Sequence, residues 1–227
     1  MKHTIILCDN RLQDEWAEQY LSMAQILTQK FGIEGRAIVR EGVRRYADAL
    51  AQSRKKEILE TGNVTNLETV FTCGFGFPCG ERTSKEWIEC SAEQFFINII
   101  TCPYHNYWAN RGALDLGIMF CEEYYPILVH GSTSQRAQIN LGNTLMNGRD
   151  DFCRLSCYLR PANLTPPERA ECFSAHRLSG DKPKNIPPYV PDYPKFKELL
   201  YDAFCQAAGI LQGDLGRAVL QQIVREK

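Results

Sequence analysis

"EWIECSAEQFFINIITCPYHNYW", residues 86–108, holds both kinds of secondary structure that the chain must combine. Its two runs EWIECS and FFINIITC are rich in β-branched and aromatic side chains, and Ala92, Glu93 and Gln94 separate them, which is the pattern of a β-hairpin. A proline then follows directly. Proline is favoured at the first position of a helix, where its missing N–H would have no intrahelical partner, so Pro103 predicts a helix start with Cys102 as its N-cap.

Downstream, the spacing predicts one helix from Pro103 to Gly112 and a second from about Leu114 to His130. Leu114, Ile118, Cys121, Tyr125 and Leu128 form one apolar stripe on the second, and Pro126 is expected to kink its last turns. "RAQINLGNTLMNGRDDFCRLSCYL", residues 136–159, reads as another hairpin, with Asn147-Gly148 as the turn signal. A two-residue loop would pair Leu141 with Arg154 and mix core with solvent faces. An odd-numbered loop with a left-handed Gly148 keeps Ile139, Leu141, Cys153, Leu155 and Cys157 on one side, with Asn143 a near neighbour of Cys153.

Upstream, Leu12, Trp16, Tyr20, Met23 and Leu27 predict an amphipathic helix stopped by Gly32. Ile38, Val43, Tyr46 and Leu50 predict a second helix, from about Arg36 to Glu60. Residues 63–81 suggest loops with a short strand. From Pro161 a proline-rich covering segment leads into a terminal helical pair, Lys195 to Gly209 and Asp214 to Glu226. The expected fold is α+β: an antiparallel sheet of hairpins packed with helices, a helical N-terminal layer (1–62), a core that carries the site (63–160) and a C-terminal helical extension (161–227), all in one compact domain.

Composition narrows the function. The 227 residues carry a formal net charge of −1, which gives no basic footprint for nucleic acid. No apolar run approaches the roughly 20 residues needed to span a bilayer, and "MKHTIILCDN" is too short an apolar start for a secretory signal. The expectation is a cytoplasmic protein acting on a small molecule, with homo-oligomerisation left open. Ten cysteines are many for a reducing compartment. Cys8, Cys73, Cys79, Cys90, Cys172 and Cys205 lack metal-type spacing and are expected to be buried packing residues.

Cys102 is different, because a thiol at the positive end of a helix dipole is expected to have a lowered pKa. With His105 three residues on, it makes either a nucleophile and base or two ligands of a zinc, and simple capping remains the bland alternative. Cys121, with Glu122 and Glu123 beside it, and the pair Asn143 and Cys153 are candidates to converge on the same place. No cofactor is expected. Were zinc present instead, Cys102, His105, Cys121 and Cys153 would be its ligands.

The order "CPYHNYWANRGALDLGIMFCEEYYPIL" followed by "NTLMNGRDDFC" resembles the L-2-amino-thiazoline-4-carboxylic acid hydrolase family over about residues 85–160. The second hairpin is distantly similar to the 4-vinyl reductase domain, a small-molecule-binding module. Zinc-binding relatives of that module use a glutamate and a cysteine before the turn, and "LGNTLMNG" has neither. The resemblance implies a hydrolase that opens a cyclic amidine or isothiourea at a C–S or C–N bond. On that reading Cys102 is nucleophile or metal ligand and His105 its base or the proton donor to the leaving sulfur, with Asn143 hydrogen-bonding at the reacting centre and Cys153 counted among the catalytic residues. Glu123 or Glu122 holds the amidinium, and Arg111 or Arg154 meets a carboxylate. Tyr104, Trp108 and Cys121 are expected to contact the substrate. A non-catalytic binding module and a zinc-dependent enzyme acting on another C–N or C–S bond are the alternatives.

Overall fold

A computed structural model of the chain describes residues 9–133, 135–173 and 189–225. The first helix, α1 (Asn10–Phe31), starts where the Asp9 carboxylate accepts hydrogen bonds from the Arg11 and Leu12 amides, and ends at Gly32 with φ 57°. α2 (Ile33–Glu60) follows at once, starting three residues earlier than its apolar pattern suggests. The close approach of the two helices requires glycine at Gly35 in the first turn of α2, since a Cβ there would lie 2.1 Å from the Leu27 carbonyl oxygen. Trp16, Tyr20, Met23 and Leu27 of α1 and Ile38, Val43, Tyr46 and Leu50 of α2 are all buried, as the two stripes require.

Residues 63–81 contain no strand. They form a short helix instead, α3 (Leu67–Phe71), started by a reciprocal pair of hydrogen bonds between Asn66 and Thr69. The hairpin follows as β1 (Ser84–Cys90) and β2 (Gln94–Thr101), then α4 (Pro103–Ala109) with Cys102 as its N-cap. α5 (Leu114–Ser132) runs through Pro126 to its end. β3 (Gln138–Leu141) and β4 (Cys153–Tyr158) complete an antiparallel sheet of order β1-β2-β4-β3. Leu141 stands opposite Leu155 and Ile139 opposite Cys157, so the core faces are matched. The loop that sets this register contains a 3₁₀ turn, Leu145–Asn147, closed by Gly148 in the left-handed conformation (φ 69°).

Phe95, Ile97, Ile99, Cys153, Leu155 and Cys157 bury one face of the sheet in a core shared with α1, α2 and α5. α6 (Pro166–Cys172) breaks the proline-rich stretch, and α7 (Tyr193–Arg225) packs along α1 and α2. The terminal helical pair is one element interrupted at Gly213, which has φ 60° and ψ −143°. The readings made on Cys8 and the rest of residues 1–8, on 174–188 and on Glu226 lie outside the described residues. Among the described residues no helix is long and apolar enough to cross a membrane.

Candidate functional site

α4 begins where β2 ends, which puts Cys102 in the wall of a cavity between the helices and the C-terminal segment. Its volume is about 40 Å³. That holds a few waters, so a ring-sized ligand needs its walls to yield. Trp16 comes from α1 and Tyr46 from α2; α4 supplies Tyr104 and Trp108. α5 adds Phe120, Cys121, Tyr124 and Tyr125. Tyr189, Pro191, Tyr193 and Phe196 close the remaining side.

The rings touch one another. Trp16 lies 4.8 Å from Tyr104 and 5.3 Å from Phe120, centroid to centroid, while Phe120 and Tyr124 stack at 4.8 Å. The cage is anchored behind by Trp108, whose indole N–H donates to the Ala17 carbonyl at 3.1 Å, and by Tyr20, whose hydroxyl donates to the Leu116 carbonyl at 2.7 Å. The polar groups among these residues are tyrosine hydroxyls, indole N–H groups and the Cys102 and Cys121 thiols, with no charged side chain. The hydroxyls of Tyr104 and Tyr193 are 3.3 Å apart, and Gln13 Nε2 donates to Tyr193 at 3.1 Å. The buried indole N–H of Trp16 faces the Tyr46 hydroxyl.

Cys102 does not have the lowered pKa expected of a helix N-cap. Burial pushes the thiol up to about 12, against the weaker pull of the His105 and Tyr104 amides. The thiol makes no full capping hydrogen bond, and desolvation outweighs the dipole of a helix this short. Cys121 is also raised, by burial first and then by the neighbouring Cys153 and Cys102 sulfurs.

Apart from Cys153, whose sulfur neighbours those of Cys102 and Cys121, the other expected residues disperse. His105 is half-buried, with Nδ1 3.1 Å from Asn106 Oδ1, and it is not among the residues around the cavity. Cys102 leaves the extended backbone before the helix, so its side chain does not share the direction of His105 in the first turn. Glu123 accepts hydrogen bonds from Arg40 (2.7 Å) and Arg44 (2.6 Å), and Glu122 accepts one from Arg40 (2.8 Å), on the α2-facing side of α5. Arg111 covers the Tyr107 ring at 3.6 Å, and Arg154 donates to Asn98 at 2.9 Å on the far face of the sheet. Asn143 turns to Asp150, and Cys153 accepts from the Leu145 amide at 3.2 Å.

Of the expected set, the structure places Cys102, Tyr104, Trp108 and Cys121 around the cavity, with the Cys153 sulfur a neighbour of both thiols. The expected zinc ligands do not fit that metal: among the described residues no group of three or more His, Cys, Asp or Glu is placed to hold a metal ion. Nor are all the cysteines unpaired, since Cys79 is disulfide-bonded. Trp16 and Tyr46 were legible only as core positions on their helices, and no local motif marks Tyr124, Tyr125, Tyr189 or Tyr193 as partners.

The family model described as L-2-amino-thiazoline-4-carboxylic acid hydrolase matches residues 15–156. That span reaches from the first turns of α1 into β4, and leaves Tyr189, Pro191, Tyr193 and Phe196 outside it. Comparison with curated proteins and with solved structures finds no match.

Proposed function

The chain belongs to the L-2-amino-thiazoline-4-carboxylic acid hydrolase family, and from that premise we propose that it opens a small cyclic isothiourea or amidine inside the aromatic cavity, with Cys102 as nucleophile. One observation supports this most: a thiol at a strand-to-helix junction stands in the wall of a narrow, ring-lined cavity.

Because burial keeps Cys102 protonated, the reaction starts from S–H, and the substrate brings the base. The ring nitrogen of a 2-aminothiazoline takes the thiol proton, which makes a thiolate and an isothiouronium whose C2 is electrophilic. Sγ bonds to C2 and the bond from C2 to the ring sulfur breaks. The departing sulfur takes a proton from the amidinium nitrogen, leaving a free thiol and an S-linked isothiourea on the enzyme. Water then adds to C2, the bond to Sγ breaks with return of the proton to Cys102, and the product is a ureido thiol. His105, Glu122, Glu123, Asn143, Arg111 and Arg154 have no step in this scheme, because their side chains are turned elsewhere.

A non-catalytic binding module is the second reading, favoured by how small the cavity is. Free-thiol appearance on incubation with 2-aminothiazoline or its 4-carboxylate separates the two. Turnover by the native chain, lost in Cys102→Ser and kept in His105→Gln, is the expected result. Equal activity of Cys102→Ser would remove the covalent step, and binding without thiol release would leave only the module.

A further inference from the structure

Resting on the hydrolase reading, we infer that the cavity recognises the amidinium form of its ligand through aromatic ring faces, and so favours planar amidine heterocycles without a carboxylate over the acid in the family's name.

The argument starts from what the walls are made of. Trp16, Tyr104, Trp108, Phe120 and Tyr124 line one continuous surface, with successive centroids about 5 to 6 Å apart. A ring face carries the negative part of the aromatic quadrupole, which attracts a delocalised cation and repels a carboxylate. Charge separation on binding suits this cage: the proton that leaves Cys102 places a planar cation against the rings and its thiolate counter-ion in the same wall. The guanidinium groups nearby have partners already, including Arg54, which lies over the Tyr189 ring and holds Glu57 and Cys73. Arg40 and Arg44 hold Glu122 and Glu123, while Arg82 holds Asp14 and Gln13.

The closing wall points the same way. Tyr189 and Phe196 stack on each other with centroids 6.3 Å apart, and Tyr193 joins Tyr104 through their hydroxyls. These residues lie beyond the family-matched span, so this chain's own C-terminal segment completes the cage with further rings.

The test measures both binding, by titration calorimetry, and thiol release, on the full chain with 2-aminothiazoline and with 2-aminothiazoline-4-carboxylate. The uncarboxylated ring is expected to bind roughly 10-fold or more tightly than the acid. Tyr104→Phe keeps a ring and is expected to retain that preference, whereas Tyr104→Leu loses it; Tyr104→Phe also controls for folding. Equal or tighter binding of the acid overturns the inference while leaving the hydrolase reading intact if the acid is opened. Tight binding of 2-aminothiazoline with no thiol release sinks the hydrolase reading and upholds the ring-face selection. Retention of the preference by folded Tyr104→Leu counts against the cage, and failure of both ligands to bind overturns both ideas.

Discussion

At Cys102 two effects oppose each other within one side chain. The N-cap position offers unpaired amides and a helix dipole, while burial removes the water that would solvate a thiolate, and burial prevails. The consequence for stability has a definite sign. The folded pKa of about 12 lies above the usual thiol value of 9.0, so the folded chain holds a proton that the unfolded chain releases between these values. That contribution is fully present below pH 9 and is lost as pH rises toward 12. Cys157, pushed by burial to about 12 as well, acts in the same direction. Urea midpoints are therefore expected to fall between pH 8 and pH 10, and less steeply in Cys102→Ala than in the native chain. A midpoint that does not move over this range would contradict the burial argument. Iodoacetamide should likewise modify Cys102 slowly at neutral pH, as peptide mapping can measure.

Among the elements, α2 is the hub, because α1, α5 and α7 all pack on it. Its contact with α7 depends on Gly42, where a Cβ would lie 2.6 Å from the Phe204 ring. Alanine at that position would favour the helix by up to about 1 kcal/mol, but overpacking costs about 1 to 3 kcal/mol. Gly42→Ala is thus expected to destabilise, seen as a lowered urea midpoint. The join between α2 and α5 is ionic at its rim. Glu123 has two arginine partners and a side chain only 13% exposed, so Glu123→Gln should cost about 1 kcal/mol. The loss should shrink in high salt; a salt-independent loss would point to packing instead.

Across the whole molecule, the C-terminal helix behaves as core. Phe204 of α7 is fully buried against α1 and α2, with its ring 6.1 Å from that of Tyr20. Phe204→Ala is expected to cost about 3 to 5 kcal/mol and to lower a single unfolding transition seen equally by helix and aromatic signals. Two separated transitions would mean that α7 folds as an appendage. The same packing gives the cavity its closing wall, since Tyr193 and Phe196 lie in the first turn of α7. Changes in α7 should therefore reach ligand binding without altering any residue of the family-matched span.

The sequence by itself determined the elements: the stripes of α1 and α2, the first hairpin, the helix started by Pro103 and the odd loop with a left-handed Gly148. Periodicity, proline and glycine act over a few residues, so they are visible in the order of the chain. Where local signals were mixed, as at residues 63–81, side-chain hydrogen bonds between Asn66 and Thr69 decided for a helix. Tertiary structure alone decided the site. It drew rings from Trp16 to Phe196 into one cavity, spent Glu122 and Glu123 on Arg40 and Arg44, and left the His105 imidazole outside the cavity that Cys102 lines. Desolvation and ion pairing depend on which faces meet, and Cys102 carries a raised rather than a lowered pKa for that reason.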